Sequence, residues 1–308
     1  MLSDRLLRYI FRKYYRQRLT EMVAPDFPIL VDYPVKCSPR YGYGKPPHRH
    51  LLAILEAGRS EYGRRLSEFC SLKDWLSQIP DESTPEAIEP CWGPQRNFGS
   101  MDGVALYGML FEFRPQRFVE VGSGYSTKFA RRAIQDHSLR TLITSIDPKP
   151  RAEIDKLCDS VIRQPLEEID LGVFDELEPG DFLFIDGSHR AFTNSDVTVT
   201  FLDVLPRLKA GVVVHFHDIF WPYDYPPEWA HHYYSEQYLL GCYLLGDRAS
   251  KVKVLQPNAF IVHDRELART CKPLLEIAGI RRPYNPIYSP YGFAGGSFWL
   301  QLGTKESD

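Results

Sequence analysis

The chain predicts an α/β fold, a mainly parallel sheet covered by helices on both faces, and two observations carry that prediction. The first is a series of short apolar runs alternating with helical patterns from residue 102 onward. Near-continuous apolar strands separated by helices are characteristic of sheets buried on both sides. The second is a glycine turn. Residues 118–130 read FVEVGSGYSTKFA, an apolar strand that runs into Gly122-Ser123-Gly124 and then a helical pattern. Such a turn presents backbone N–H groups to a ligand.

Taken in order, residues 102–113 predict a helix capped by Ser100, residues 118–121 the first strand and 126–135 its helix. Residues 142–146 form the second strand. A helix at 152–158 precedes a short third strand at 160–163. The fourth strand, DFLFI, spans 181–185, a helix follows at 195–208, and the fifth, GVVVH, spans 211–215. Residues 251–255 with 260–262, and then 297–302, supply two late strands. Upstream, residues 2–18 make an amphipathic helix, with Leu2, Leu6, Ile10 and Tyr14 on one stripe and six basic residues on the other faces. Such a helix can dock on its own domain or a partner subunit, the reading favoured here, or lie on a membrane surface. Residues 25–43 are rich in proline and tyrosine, 49–79 read as helical, and 80–94 form a break. The expected organisation is therefore a helical and loop extension over 1–95 and an α/β domain over 96–308.

Composition narrows the function classes. At 308 residues the chain can bury one large core or a domain with an extension. A net charge of −3 gives no overall attraction to nucleic acid or anionic membrane. No apolar run approaches the roughly 18 residues of a membrane span, and no signal peptide is visible. The six cysteines are scattered singly, without a C-x-x-C pair, which fits a reducing, cytoplasmic setting. The expected partners are a small-molecule acceptor and, through the first helix, a second copy of the chain in a homo-oligomer.

The acids around the turn point to its ligand. Glu120 lies inside the strand end, and a bare carboxylate there needs a donor. Asp147 ends the second strand, at the separation where an acid can hold ribose hydroxyls. A nucleoside-containing cofactor across the carboxyl ends of the sheet follows. A dinucleotide turn, G-x-G-x-x-G, fails at its third glycine, where Thr127 stands. A carboxylate two residues before the first glycine also repels a pyrophosphate and suits a cationic amino group.

The turn resembles motif I of the class I S-adenosylmethionine-dependent methyltransferases, E-x-G-x-G-x-S, over roughly residues 97–302. The Asp186-Gly187-Ser188-His189 and His217-Asp218 motifs resemble those of small-molecule O-methyltransferases. The resemblance implies a Rossmann-like, seven-stranded sheet with its last strand antiparallel. It implies that Glu120 accepts from the methionine amino group, that Gly122, Ser123 and Gly124 allow close backbone approach, and that Tyr125 and Ser126 line the methionine tail. Asp147 then takes the ribose hydroxyls, and Gln164 lies where the family contacts adenine.

Asp186 ends the fourth strand, and His217 and Asp218 follow the fifth, on one rim of the sheet. Two uses of this cluster stay open. Asp186, His217 and Asp218 can hold a divalent ion, which by resemblance lowers the acceptor hydroxyl's pKa; His217 is softer than magnesium prefers and leaves manganese as a candidate. Without a metal, His217 or His189 can be the general base, oriented by Asp218 or Asp186. His215 is read as ending the strand's core, and His231-His232 as an exposed pair. Aromatic residues at 221–229 (Trp221, Tyr223, Tyr225, Trp229) and at 284–293 (Tyr284, Tyr288, Tyr291, Phe293) either line an acceptor pocket, binding a sugar face for example, or pin long loops. The competing readings are a nucleotide- or NAD-binding oxidoreductase and a non-catalytic partner protein.

Overall fold

The structure is a computed structural model, and it describes residues 9, 36–82, 87–93, 98, 100–151, 153–247, 251–281 and 291–303. The chain divides into two compact units, Met1–Ser38 and Pro39–Asp308. In the first, only Tyr9 and residues 36–38 are described, so the expected helix at 2–18 lies otherwise outside the described residues. The division falls at residue 38, and the expected boundary near residue 95 lies within the second unit.

That unit is built on seven strands: β1 (Arg117–Val121), β2 (Leu142–Ile146), β3 (Ser160–Ile162), β4 (Phe182–Ile185), β5 (Val213–Phe216), β6 (Val252–Pro257) and β7 (Phe298–Leu302). Their order is β3-β2-β1-β4-β5-β7-β6. The first five pair in parallel, and β7 inserts antiparallel between β5 and β6. The sheet is thus the expected mixed α/β sheet with an antiparallel last strand. Every residue of β4 and β5 is buried, the condition that apolar runs such as FLFI require. Strand order reverses between β1 and β4, so a crevice opens above their carboxyl ends.

Helices α1 (Arg49–Ala57), α2 (Arg59–Ser71), α3 (Ser100–Phe113) and α4 (Tyr125–Asp136) contribute to the same core as the strands. Arg65 on α2 is buried; its Nε pairs with Glu112 of α3 at 2.6 Å and Nη1 donates to the Leu255 carbonyl of β6 at 2.6 Å. One guanidinium therefore ties three elements together.

Several local expectations are corrected. Residues 260–262 are not strand but part of α7 (Asn258–His263), which follows α5 (Asp196–Val199) and α6 (Glu236–Gly246) in the chain. A short buried apolar run has no periodicity to separate helix from strand. Ser100 does not cap α3 but is its first residue. The expected helix at 152–158 is reduced to a 3₁₀ turn, Asp155–Leu157. The expected helix at 195–208 changes character twice, from α5 to a π segment (Thr200–Val204) and a 3₁₀ turn (Leu205–Arg207).

Candidate active site

The site begins with a backbone constraint. Gly122 follows β1 with φ 81°, and a Cβ there would lie 1.8 Å from the Asp186 carbonyl oxygen. Only glycine allows the ends of β1 and β4 to approach this closely. Gly122 N–H donates to Ile146 and Asp186 N–H to Val121, so the ends of β1, β2 and β4 are fastened together. Above them lies a cavity of about 400 Å³.

Of the residues expected to hold a cofactor, Gly122, Ser123, Gly124, Tyr125, Ser126 and Asp147 line this cavity. A Cβ on Gly124 would meet nothing within 4 Å, so the space above it is free for a ligand. Ser123 N–H donates to Asp147 Oδ2 at 2.8 Å and Lys149 N–H to its Oδ1 at 2.7 Å, which fixes the Asp147 carboxylate toward the turn. Gln164 is not among the lining residues; the next three, Pro165, Leu166 and Glu167, are.

Glu120 does not line the cavity either. It lies wholly buried beneath the turn. Thr127, in the place of a third glycine, explains the arrangement: its hydroxyl donates to Glu120 Oε2 and accepts from Gly124 N–H at 3.1 Å. Glu120 Oε1 accepts no hydrogen bond within 3.5 Å among the described residues. Burial pushes the Glu120 carboxyl up to about 7, against the opposing effect of the Ser126 and Thr127 hydroxyls.

Asp186 borders the cavity on one side and both histidines on the other. Its Oδ1 lies 3.4 Å from His217 Nδ1 and 3.3 Å from His189 Nε2. Asp218 completes the inner group, at 3.5 Å from His217 Nδ1 and 3.4 Å from His189 Nε2. The four residues expected to do chemistry are thus brought together. Each histidine also has an outer carboxylate that sequence reasoning missed. Glu236, at the start of α6, meets His189 Nδ1 at 2.8 Å, and Asp102, in the first turn of α3, faces His217 Nε2 at 3.4 Å. Asp102 further accepts from the N–H groups of Gly296 and Ser297 and from Asn258 Nδ2. Phe98 stacks on His217 at 5.4 Å and reaches the cavity wall.

Electrostatics follow from this bracketing. Burial alone would lower both histidines, but Asp186 and Glu236 around His189, and Asp186, Asp218 and Asp102 around His217, hold both well above the usual imidazole range. Burial would raise Asp186; the two histidines hold it well below the carboxylate range. Burial raises Asp218 and Glu236. His215 is a core histidine as expected, stacked on Phe184 at 3.6 Å with Nε2 against Ser297 Oγ, and burial lowers its pKa.

Among the described residues, no group of three or more His, Cys, Asp or Glu side chains is placed so that it could hold a metal ion. His217 and His189 have carboxylates at both ring nitrogens and are held protonated, so a metal at Asp186, His217 and Asp218 would have to displace those protons.

The aromatic loop mostly serves packing. Trp221 and Tyr225 are buried, with Trp221 Nε1 donating to the Gln237 carbonyl, so they pin the loop. Phe293 is buried as well, while Tyr284 and Tyr288 lie outside the described residues. Tyr234 is the ring beside the cluster, 4.8 Å from His189, with His232 stacked on it at 5.0 Å and only His231 of the expected exposed pair fully exposed.

The family model described as a methyltransferase domain matches residues 119–219, the stretch that runs from the glycine turn through Asp218. This stretch is similar to a methyltransferase domain. The match agrees with the resemblance to class I S-adenosylmethionine-dependent methyltransferases. An uncharacterized protein of Archaeoglobus fulgidus is 30% identical over 103 residues, which cover 31% of this chain and 47% of that protein. The chain therefore spans about half the length of this curated relative. Among solved structures, the SAH-bound O-methyltransferase of Bacillus cereus is 15% identical, covering 78% of this chain and 90% of that one at a TM-score of 0.37. An SAH-bound methyltransferase of Podospora anserina is 14% identical, covering 86% of this chain and 100% of that one at a TM-score of 0.38. The matched stretch contains both the glycine turn and the four inner cluster residues. Asp102 and Glu236 come from outside it.

Proposed function

We propose that the protein is an S-adenosylmethionine-dependent methyltransferase that methylates a hydroxyl group of a small molecule. The observation that carries this reading is the position of Asp186, which borders the cofactor cavity and touches both histidines of the acid–histidine cluster. The cofactor supplies an activated methyl group on a sulfonium. The residues present suit such a ligand: free space above Gly124, backbone N–H groups at the start of α4, a fixed Asp147 carboxylate and a buried, half-satisfied Glu120.

Hydroxyl methylation requires the acceptor oxygen to be held in line and its proton to be weakened. The inner nitrogen–oxygen separations of 3.3–3.5 Å exceed those of charge-assisted hydrogen bonds, about 2.7–2.9 Å, so the cluster is not closed on itself. An acceptor oxygen placed among these groups receives hydrogen bonds from the two imidazolium groups, which stabilise it as an alkoxide or phenolate. Asp218, partly exposed and raised by burial, is the carboxylate suited to take the proton. A sugar hydroxyl and an aromatic hydroxyl both suit the Tyr234 ring beside His189.

Titration calorimetry tests the cofactor. S-adenosylmethionine and S-adenosylhomocysteine should bind, and Gly124→Val, whose side chain enters the cavity, should abolish binding without unfolding the protein. Gly122→Val is the poorer probe, because its Cβ collides with the Asp186 backbone. Preferential binding of NAD would favour the oxidoreductase reading instead. With an acceptor in hand, turnover should persist in excess chelator with no stoichiometric metal detected in the purified protein. Loss of turnover on chelation, restored by manganese or magnesium, would return Asp186, His217 and Asp218 to the role of metal ligands.

A further inference from the structure

Glu120 is a buried acid with one oxygen tied to the cofactor turn and the other without a hydrogen bond among the described residues. Among the described residues, groups that face it come from the turn, from the end of β4 and from the segment before β3. From the turn come the Ser123, Ser126 and Thr127 hydroxyls; from the end of β4 comes Asp186; from the segment before β3 comes the Cys158 thiol, itself raised by burial and by Glu120. Arg163 lies one step away. Its Nη1 donates to Ser145 Oγ, which is 2.7 Å from Ser123 Oγ, and its Nη2 pairs with Asp155. No cation contacts Glu120 among the described residues, and the charge of Asp186 disfavours its ionisation. A pocket built this way keeps its acid mostly protonated below about pH 7 when empty.

Resting on the methyltransferase reading, we propose that binding of the cationic cofactor is coupled to release of one proton from Glu120, with Thr127 carrying the change to the turn. The step balances simply: the Glu120 carboxylic acid becomes a carboxylate, the proton leaves to solvent, and the cofactor's positive charge takes its place in the field of the buried oxygen. In a site shielded from water that exchange acts over several ångströms without direct contact. Thr127 has one hydroxyl proton and gives it to Glu120 Oε2, while its lone pair receives Gly124 N–H. Ionised Glu120 binds that proton more strongly and so fixes the hydroxyl, and with it the backbone at Gly124, in the binding geometry. Glu120 is thus a positioning residue whose charge follows occupancy, and an uncharged ligand of the same shape gains less from it.

Calorimetry of the full-length protein with S-adenosylmethionine tests the coupling. The affinity should rise roughly fivefold between pH 6 and pH 7, and titrations in buffers of different ionisation enthalpy should show release of roughly half a proton at pH 7. Glu120→Gln should bind with neither effect, so the difference between the two proteins removes any contribution from the ligand's own amino group. If that variant does not fold, infrared difference spectra of the wild type provide the measurement: the band of a protonated carboxyl should disappear on adding the cofactor. Binding with equal affinity at both pH values and no proton release would overturn the coupling while leaving the methyltransferase reading intact. Proton release that persists unchanged in Glu120→Gln would overturn it as well. Absence of binding at any pH would remove both.

Discussion

At Asp102 a single buried carboxylate meets two backbone N–H groups, one amide and one imidazole, joining α3 to the segment before β7 and to the acid–histidine cluster. Burial would raise its pKa, but His217, Asn258 and Gly296 hold it below the usual range. Asp102→Asn keeps the shape and removes the charge that supports the His217 imidazolium. Activity should fall at least tenfold, and the alkaline limb of the pH–rate profile should move to lower pH, which a purely structural change would not produce. A wild-type pH profile in this variant would leave Asp102 an anchor only. The signs of the titrations can be stated together. Histidines with raised folded pKa values contribute stability that is complete below about pH 6.5 and lost as pH rises through those values. Asp186 and Asp102 contribute stability present above about pH 4 and lost as pH falls through their depressed values. Glu120 acts in the opposite sense to a depressed acid: the folded state loses up to about 3 kcal/mol as pH rises from about 4.5 to 7, because a charge is then buried. Glu120→Gln should therefore flatten the thermal stability profile over that interval, as read by melting temperature against pH.

At the scale of elements, the helices before the first strand are part of the fold rather than an ornament on it. The Arg65–Glu112 pair with its bond to the Leu255 carbonyl fastens α2 to α3 and β6. Removing the buried guanidinium takes the donor from the Leu255 carbonyl and leaves Glu112 with Arg64 alone, so Arg65→Ala should destabilise by about 2 kcal/mol in a denaturant titration. Loss below about 1 kcal/mol would show that water replaces the guanidinium. The turn between β1 and α4 is the other decisive element. Its position was legible from FVEVGSGYST, because an apolar run, paired glycines and a helical start have one common solution. The role of Thr127 was not legible. Its departure from the dinucleotide fingerprint is visible in sequence, but a hydroxyl bridging Gly124 and Glu120 requires the turn's coordinates.

At the scale of the molecule, the unit Pro39–Asp308 carries the sheet, the cavity and the acid–histidine cluster. A protein lacking residues 1–38 should therefore fold, melt within a few degrees of the full chain and bind S-adenosylmethionine with the same affinity. Cofactor binding that disappears with the deletion would make the first unit part of the site. No helix among the described residues is long and apolar enough to cross a membrane.

The sequence alone determined what local pattern can encode. Strands such as FLFI are apolar throughout, and VVHF is apolar but for His215, so their burial on both faces, and with it a helix-covered sheet, follows from hydrophobicity without reference to neighbours. Asp186, His189, His217 and Asp218 were legible too, because polar residues directly after apolar strands fall on the carboxyl rim where open sheets bind ligands. What only the tertiary structure decided depends on residues far apart in the chain. Asp102 reads as an ordinary acid in a helix's first turn, and Glu236 as a helix-start charge; each meets its histidine only after the chain has wrapped around the sheet. The same contacts decide the charge state of the cluster, since a pKa is set by burial and neighbouring charge, and neither exists until the chain is folded.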